Sequence, residues 1–337
     1  MEQTCWVVTD GRAGIENQAL GLAEAIGRLT PLNIVRKHIS VKAPYRWLPR
    51  QAWGDPFTKF AKGSETLLPV WPDLWIAAGR LSIPYTIAMR KKHPAMFTVQ
   101  TQDPRAPADL FGAVVPPAHD DIKGDNVVTM VGAPNRLQED DILADAHKLQ
   151  TLLPNHDGPR VAALIGGRSK AHKLSAPRAK HIGEALARLA RGGAYLMVTT
   201  SRRTGEVNER ILREELSRLS NVFFWNGAPL ETPEGPLENP YFGMLGLADH
   251  ILVTADSTNM ATDAAFTGEP VHILQVDGGS AKFEVFHARL ESMGISRPFE
   301  DGKLNTWSYA PLRETETAAA KVLNLWRRHR QYGSQER

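Results

Sequence analysis

The feature that most constrains this chain is an alternation, repeated in both halves, of short apolar runs with stretches of helical period. Residues 4–9 form an apolar run, residues 10–14 (Asp10-Gly11-Arg12-Ala13-Gly14) a turn, and Leu20, Ala23, Ile26 and Leu29 then recur at helical spacing. Residues 74–78 repeat the strand, Gly79-Arg80 the turn, residues 83–91 the helix, and residues 96–100 and 127–131 read as further strands. Buried parallel strands look like this, continuous apolar runs rather than alternating ones. Strand, turn and helix in regular succession imply parallel sheets joined by right-handed crossovers.

The second half uses the same grammar. Residues 160–165 are a predicted strand, 166–170 a loop and 177–191 a helix, and strands recur at 195–198, 222–225, 250–253 and 271–274. At 337 residues the chain is long for one core, and two domains are expected. A helix over 139–152 ends in the turn-rich segment 154–159, which reads as a linker. The expected domains are residues 1–153 and 154–310, followed by a segment, 311–337, whose helix near 318–328 would cross back to the first domain. Residues 45–68 mix proline, tryptophan and basic side chains without periodicity and read as an excursion of short helices.

Composition narrows the partners. Charged residues make up 23% and the net charge is +3, with basic residues spread along the chain, so no nucleic-acid footprint is expected. The local basic runs, at 36–38, 90–93 and 327–330, have the usual reading of solvated element ends. The one cysteine, Cys5, lies in the first predicted strand and reads as a buried thiol. No apolar stretch approaches the roughly 20 residues of a membrane span and the first residues are polar, so a cytoplasmic protein is expected. The histidines show no ligand spacing, and no metal site is predicted.

In open parallel sheets ligands bind beyond the carboxyl ends of strands, so the loops after the strands are the candidate sites. The first joins Asp10 and Arg12 to Gly11 and Gly14, with Asn17 and Gln18 one turn on; a tight turn capped by Asp is the plain alternative. Arg80 and the segment Gln102-Asp103-Pro104-Arg105 end other first-half strands. In the second half Gly167, Arg168, Ser169 and Lys170 combine backbone access with cationic charge, as a phosphate requires. Ser201 and Arg202 follow the next strand, and Asp256, Ser257, Thr258 and Asn259 follow another, where they also suit a helix cap. Neither G-x-x-x-x-G-K-[ST] nor G-x-G-x-x-G is present, which argues against P-loop hydrolysis and nicotinamide binding.

With these loops in view, the chain resembles the bacterial branch of the plant mitochondrial-fission elongated-mitochondria (ELM-type) family. The resemblance runs through residues 9–14 with Asn17-Gln18, Gly79-Arg80, residues 102–105, 166–169, Asn239-Pro240-Tyr241 and residues 255–260. It implies an α/β architecture of GT-B type, two Rossmann-like domains with parallel sheets facing across a cleft, the first holding an acceptor and the second a nucleotide-sugar donor, here UDP-linked. Arg168, Ser169, Ser257 and Thr258 would then hold the diphosphate, and Asp263 would stand where relatives carry a ribose-binding glutamate. Asp10 and Asp103 are the candidate bases for a metal-independent sugar transfer, the choice between them open. A nucleotide-sugar epimerase and a noncatalytic fission-type adaptor are the alternatives. The tryptophans and arginines of 45–53 suit packing within the first domain, and also the inner face of a membrane or a lipid acceptor.

Overall fold

The structure, a computed structural model, describes residues 2–65, 67–300 and 302–333. The chain divides into two compact units, residues 1–136 with 313–337, and residues 137–312.

In the first unit, β1 (Gln3–Thr9), α1 (Ala13–Leu29), β2 (Leu32–His38), β3 (Leu74–Ala78), α2 (Ile83–Lys92), β4 (Phe97–Thr101) and β5 (Ala113–Val115) build a five-stranded sheet in the order β2-β1-β3-β4-β5. Every pairing is parallel. Successive residues of β1 enter opposite cores: Cys5 and Val7 pack with α1, whereas Trp6 and Val8 pack with Trp75, Tyr85 and Met89. Burial pushes the Cys5 thiol far up, so it is inert. The excursion packs on this second face, with Trp53 2% exposed and Tyr45, Phe57 and Phe60 against the same cluster.

In the second unit, α3 (Glu139–Gln150), β6 (Arg160–Ile165), β7 (His172–Lys173), α4 (Ala176–Arg191), β8 (Tyr195–Thr200), α5 (Glu206–Leu216), β9 (Val222–Phe224), α6 (Tyr241–Leu247), β10 (His250–Thr254), α7 (Thr258–Ala265), β11 (Val271–Leu274), β12 (Asp277–Gly278), α8 (Ala281–Ser292) and β13 (Ser296–Pro298) follow one another. Six of these strands form a parallel sheet ordered β13-β11-β10-β6-β8-β9, while β12 and β7 make a small antiparallel pair. Taken in chain order within the unit, this sheet is the doubly wound arrangement whose strand order reverses between β6 and β10. In the first unit the reversal falls between β1 and β3.

The last helix, α9 (Glu314–Gly333), belongs to the first unit, where Ala318, Ala319, Val322, Leu323 and Trp326 are buried against the core of α1 and the sheet. Its start is tied down by Glu314, which accepts from the Val131 amide at 2.5 Å, and by Thr315, which accepts from that of Asn135 at 3.2 Å.

Two expectations need correction. Helix α3 lies in the second unit rather than the first, so the division falls at 136/137 and not at 153/154. The reason is close packing on α6: a Cβ at Gly246 would sit 2.7 Å from Ile142 Cγ2, and one at Gly243 2.6 Å from the Asp145 carbonyl oxygen. Residues 127–131 do not form a strand; Val127 and Met130 make only isolated bridges to Val114 and Pro117.

At the start of β10 and β11, His250 Nδ1 lies 3.3 Å from His272 Nε2, and Trp307 packs edge-on against the His272 ring at 5.0 Å. Burial, followed by the charges of His250 and Arg297, pushes His272 down to about 4. The unfolded chain therefore takes up a proton that the fold excludes, and stability should fall as pH drops from about 6.5 to 4. Over that window His272→Gln should lose less stability than the parent, by on the order of 3 kcal/mol, in urea unfolding at stepped pH. Equal acid limbs would contradict the assignment.

Candidate functional site

The second unit's site forms where the strand order reverses. The loops after β6, β8 and β10 are stitched into one cradle by their own backbone. Gly166 N–H donates to Thr254 Oγ1 at 2.7 Å, Gly167 N–H to Asp256 Oδ2 at 3.0 Å, and Arg168 N–H to the Arg203 carbonyl at 2.9 Å. Ser201 N–H reaches the Ile165 carbonyl at 2.9 Å, and the Thr204 hydroxyl donates to the same carbonyl at 3.0 Å. The approach is too close for any side chain at the two glycines of the first loop: a Cβ at Gly167 would lie 2.1 Å from the Arg203 carbonyl oxygen.

At the centre of the cradle Asp256, its side chain fully buried, pairs with Arg203 Nη1 at 2.6 Å. The Arg203 side chain is 39% exposed, so it is anchored by the carboxylate while remaining partly open to solvent. Arg203 was missed in the sequence, where its neighbour Arg202 was chosen; adjacent arginines differ only in which one the loop turns inward. Arg168, Lys170 and Arg202 are exposed on the same loops. Ser169 is spent locally, since its hydroxyl accepts from the amides of Ala171 and His172 at 3.2 and 3.0 Å. Ser257 caps α7 by accepting from Met260 N–H at 3.3 Å, with Thr258 and Asn259 half-buried beside it.

One further turn along α7, Asp263 Oδ2 accepts from the Tyr241 hydroxyl at 3.0 Å. Burial pushes the Asp263 carboxyl up to about 7, opposed by that hydrogen bond. Burial, then the charge of Asp263, raises the Tyr241 phenol. Tyr241 belongs to the Asn239-Pro240-Tyr241 segment, so the fold unites two segments that the sequence presents 22 residues apart.

In the first unit, Asp10 follows β1 with its side chain 9% exposed and both oxygens occupied by Arg12, at 3.0 Å from Nε and 2.7 Å from Nη2. Gly79, after β3, abuts this pair: a Cβ there would lie 3.9 Å from Arg12 Nη2 and 4.0 Å from Asp10 Oδ2. Gln102 Nε2 donates to Gln18 Oε1 at 2.8 Å, linking the loop after β4 to α1. Asp103 closes its own turn by accepting from Arg105 N–H at 2.7 Å. Arg80 is turned away to brace the excursion, donating to the carbonyls of Leu48, at 3.2 Å, and of Arg46. Gly11, Gly14 and Asn17 are exposed around the first turn of α1.

A pair not foreseen from sequence completes this edge. His38, at the end of β2, holds Glu16 Oε1 through Nε2 at 2.9 Å, and a Cβ on Gly11 would lie 3.9 Å from its ring. The histidine side chain is 48% exposed and the carboxylate 13%. In the sequence His38 closes a basic run and Glu16 is an ordinary first-turn acid; only the crossover brings them together. Among the described residues no cluster of histidine, cysteine and acidic side chains could hold a metal.

Two Rossmann-type units with parallel sheets make this a fold of the GT-B type. Solved structures of that kind align along nearly the whole chain. UDP-GlcNAc 2-epimerase from Methanocaldococcus jannaschii has a TM-score of 0.54 at 10% identity, covering 96% of this chain and 99% of that one. The Neisseria meningitidis UDP-GlcNAc 2-epimerase bound to UDP-GlcNAc gives 0.53 at 13%, covering 96% and 100%. Acinetobacter baumannii MurG gives 0.50 at 12%, covering 98% and 95%. At such identities the likeness concerns the fold.

The chain belongs to the mitochondrial fission ELM1 family, whose model matches residues 13–326. It is 28% identical to the Arabidopsis thaliana mitochondrial fission protein ELM1 over an alignment of 280 positions that covers 74% of this chain and 63% of the plant protein. It therefore spans less than two thirds of that relative's length. An uncharacterized protein of Rickettsia prowazekii (strain Madrid E) is 25% identical over 358 residues, covering 93% of this chain and 96% of its own.

Asp263 offers a direct check on the second-unit site. Its folded carboxyl keeps a proton that the unfolded chain loses near 4, so it favours folding below that pH and this contribution is lost as pH rises from about 4 to about 7. Asp263→Asn should flatten this part of the stability profile, in melts at stepped pH, while a slope matching the parent would mean the carboxyl titrates normally.

Proposed function

We propose that the second unit binds a nucleoside diphosphate sugar at the β6/β10 switch point, and that the protein is a glycosyltransferase of the GT-B type acting without a metal. The observation that carries this reading is Arg203, anchored by Asp256 beside a loop whose glycine amides are engaged by Thr254 and Asp256. In it Arg203 stays held by Asp256 and turns its free edge to the diphosphate, with Arg168 and Lys170 adding charge and the start of α7 adding amides. In this reading Asp263, with Tyr241 bonded to it, meets the ribose. A UDP-linked donor fits the neighbours whose structures hold UDP or UDP-GlcNAc. Such a donor is a substrate, and the reading calls for no cofactor.

The first unit's switch point takes the acceptor in this reading, with a lipid or an envelope glycan precursor as its class. His38 replaces Asp10 and Asp103 as the preferred base, because Asp10 is bound on both oxygens by Arg12 and Asp103 closes its own turn. As the acceptor oxygen bonds to the anomeric carbon and the bond from that carbon to the diphosphate breaks, His38 Nδ1 takes the hydroxyl proton, with Nε2 held by Glu16. The developing charge on the departing diphosphate is met by Arg203 and its neighbours. No helix among the described residues is long and apolar enough to cross a membrane.

Calorimetric titration with UDP, GDP and their sugars tests the donor site. One nucleotide should bind saturably, and Arg203→Ala should weaken it by at least about tenfold, the worth of one charge-assisted contact. The absence of binding across the panel would instead favour the adaptor reading, which accords with the fission role in the plant relative's name. An epimerase would convert the sugar of the bound donor without any acceptor. With donor binding intact, His38→Gln should slow nucleotide release in the presence of a membrane extract by about 100-fold or more; a rate like the parent's would remove His38 from the chemistry.

A further inference from the structure

Of the basic runs in the sequence, the two at 90–93 and 327–330 lie more than 200 residues apart, yet both end at the same place in the first unit. His329, near the end of α9, packs on Phe97, the first residue of β4, with ring centroids 5.4 Å apart. His93 lies four residues before Phe97, and its carbonyl accepts from Met96 N–H at 3.0 Å. Helix α2 covers one face of the sheet and α9 the other, so their basic ends flank the amino-terminal edge of the strands from both sides. This is the edge opposite the loops described above.

Lys91, Lys92, Arg327, Arg328 and Arg330 are all exposed there. Lys92 is drawn toward Asp55 at 3.7 Å and over Phe57. Two further acids lie on this side: Asp109, whose charge acts on Arg90, and Asp73, which accepts from Thr4 N–H at 2.9 Å. Basic residues complement helix carboxyl ends in many proteins, and that alone would explain some of them.

It does not explain the apolar side chains beside them. Trp71 packs on the His93 ring at 5.0 Å, and just before it Val70 is 90% exposed and Leu68 63%. Leu29, at the end of α1, is 49% exposed on the same edge. Bare aliphatic groups among clustered cations match a bilayer carrying acidic headgroups: the cations meet the surface charge and the aliphatic tips enter the interface. A nucleic acid would reward the charge but leave Val70 and Leu68 unpartnered.

We infer that the amino-terminal edge of the first unit's sheet docks on an anionic membrane surface through Val70 and Leu68 and the basic ends of α2 and α9. The docking is peripheral, and it leaves the opposite, carboxyl-end loops of that sheet open.

Co-sedimentation of the full chain with vesicles of phosphatidylcholine, alone or mixed with phosphatidylglycerol, tests this. The protein should pellet with the mixed vesicles, stay in solution with phosphatidylcholine alone, and be released by high salt. Each cation near such a surface is worth about fivefold in partitioning, so Arg327→Glu with Arg328→Glu should weaken binding by more than about 20-fold. Val70→Asp should weaken it by a smaller factor, and Trp47→Ala, on the excursion, should leave it unchanged. Circular dichroism melts confirm that each variant is folded. The inference is overturned by failure to pellet with the mixed vesicles, by charge-reversed protein that pellets like the parent, or by Val70→Asp without effect, which would reduce the surface to a general polyanion binder.

Discussion

The second unit depends on one buried carboxylate. Asp256 sits after β10 with its side chain fully out of solvent, where an ionised group is tolerated only if it is paired and hydrogen-bonded. Its partners come from the two other loops at the switch point, Gly167 by its amide and Arg203 by its guanidinium. Removing either partner would leave a charge stranded in low dielectric, a loss of about 3–5 kcal/mol for a buried pair and less here because Arg203 is partly exposed. The same bond that holds the loops together therefore fixes where the Arg203 guanidinium stands.

The first unit solves the same problem with weaker means. Its Asp10–Arg12 pair lies within a single loop, and Arg12 is 63% exposed, so the pair shapes the turn without tying strands together. The tie across elements is left to the Gln102–Gln18 bond and to the His38–Glu16 contact. This difference suits the roles proposed for the two units, a rigid site for a charged diphosphate and a more open one for a neutral hydroxyl. Helix α9 contributes to the first unit in another way. Burying Trp326, Val322 and Ala319 on the face that α1 only partly covers completes a core begun more than 300 residues earlier.

The central strands were legible because both faces are buried, which leaves an unbroken apolar run with no competing signal. β1, β3, β6, β8, β10 and β11 are of this kind. Edge strands are covered less evenly, and β2, with Arg36 and Lys37 inside it, and the three-residue β5 and β13 gave no such run. Residues 127–131 carried the run but make only isolated bridges, since apolar composition reports burial and not the extent of pairing. The domain boundary was misplaced for a related reason: prolines and a glycine at 154–159 mark a turn, but only the glycine-mediated contact of α3 with α6 decides which core the helix joins.

By itself the sequence determined the α/β class, the two parallel sheets and the loops on which a site could lie, because period and turn chemistry act between residues close along the chain. It also determined membership of the ELM1 family, carried by short segments in a fixed order. Only the tertiary structure decided which side chains on those loops face one another. It turned Arg203 rather than Arg202 toward Asp256, closed Ser169 on its own loop, set Tyr241 against Asp263 and placed His38 beside Glu16. These choices depend on crossover geometry and on the last ångström of loop packing, where residues tens of positions apart compete for the same partners, and no local pattern in the chain encodes the outcome.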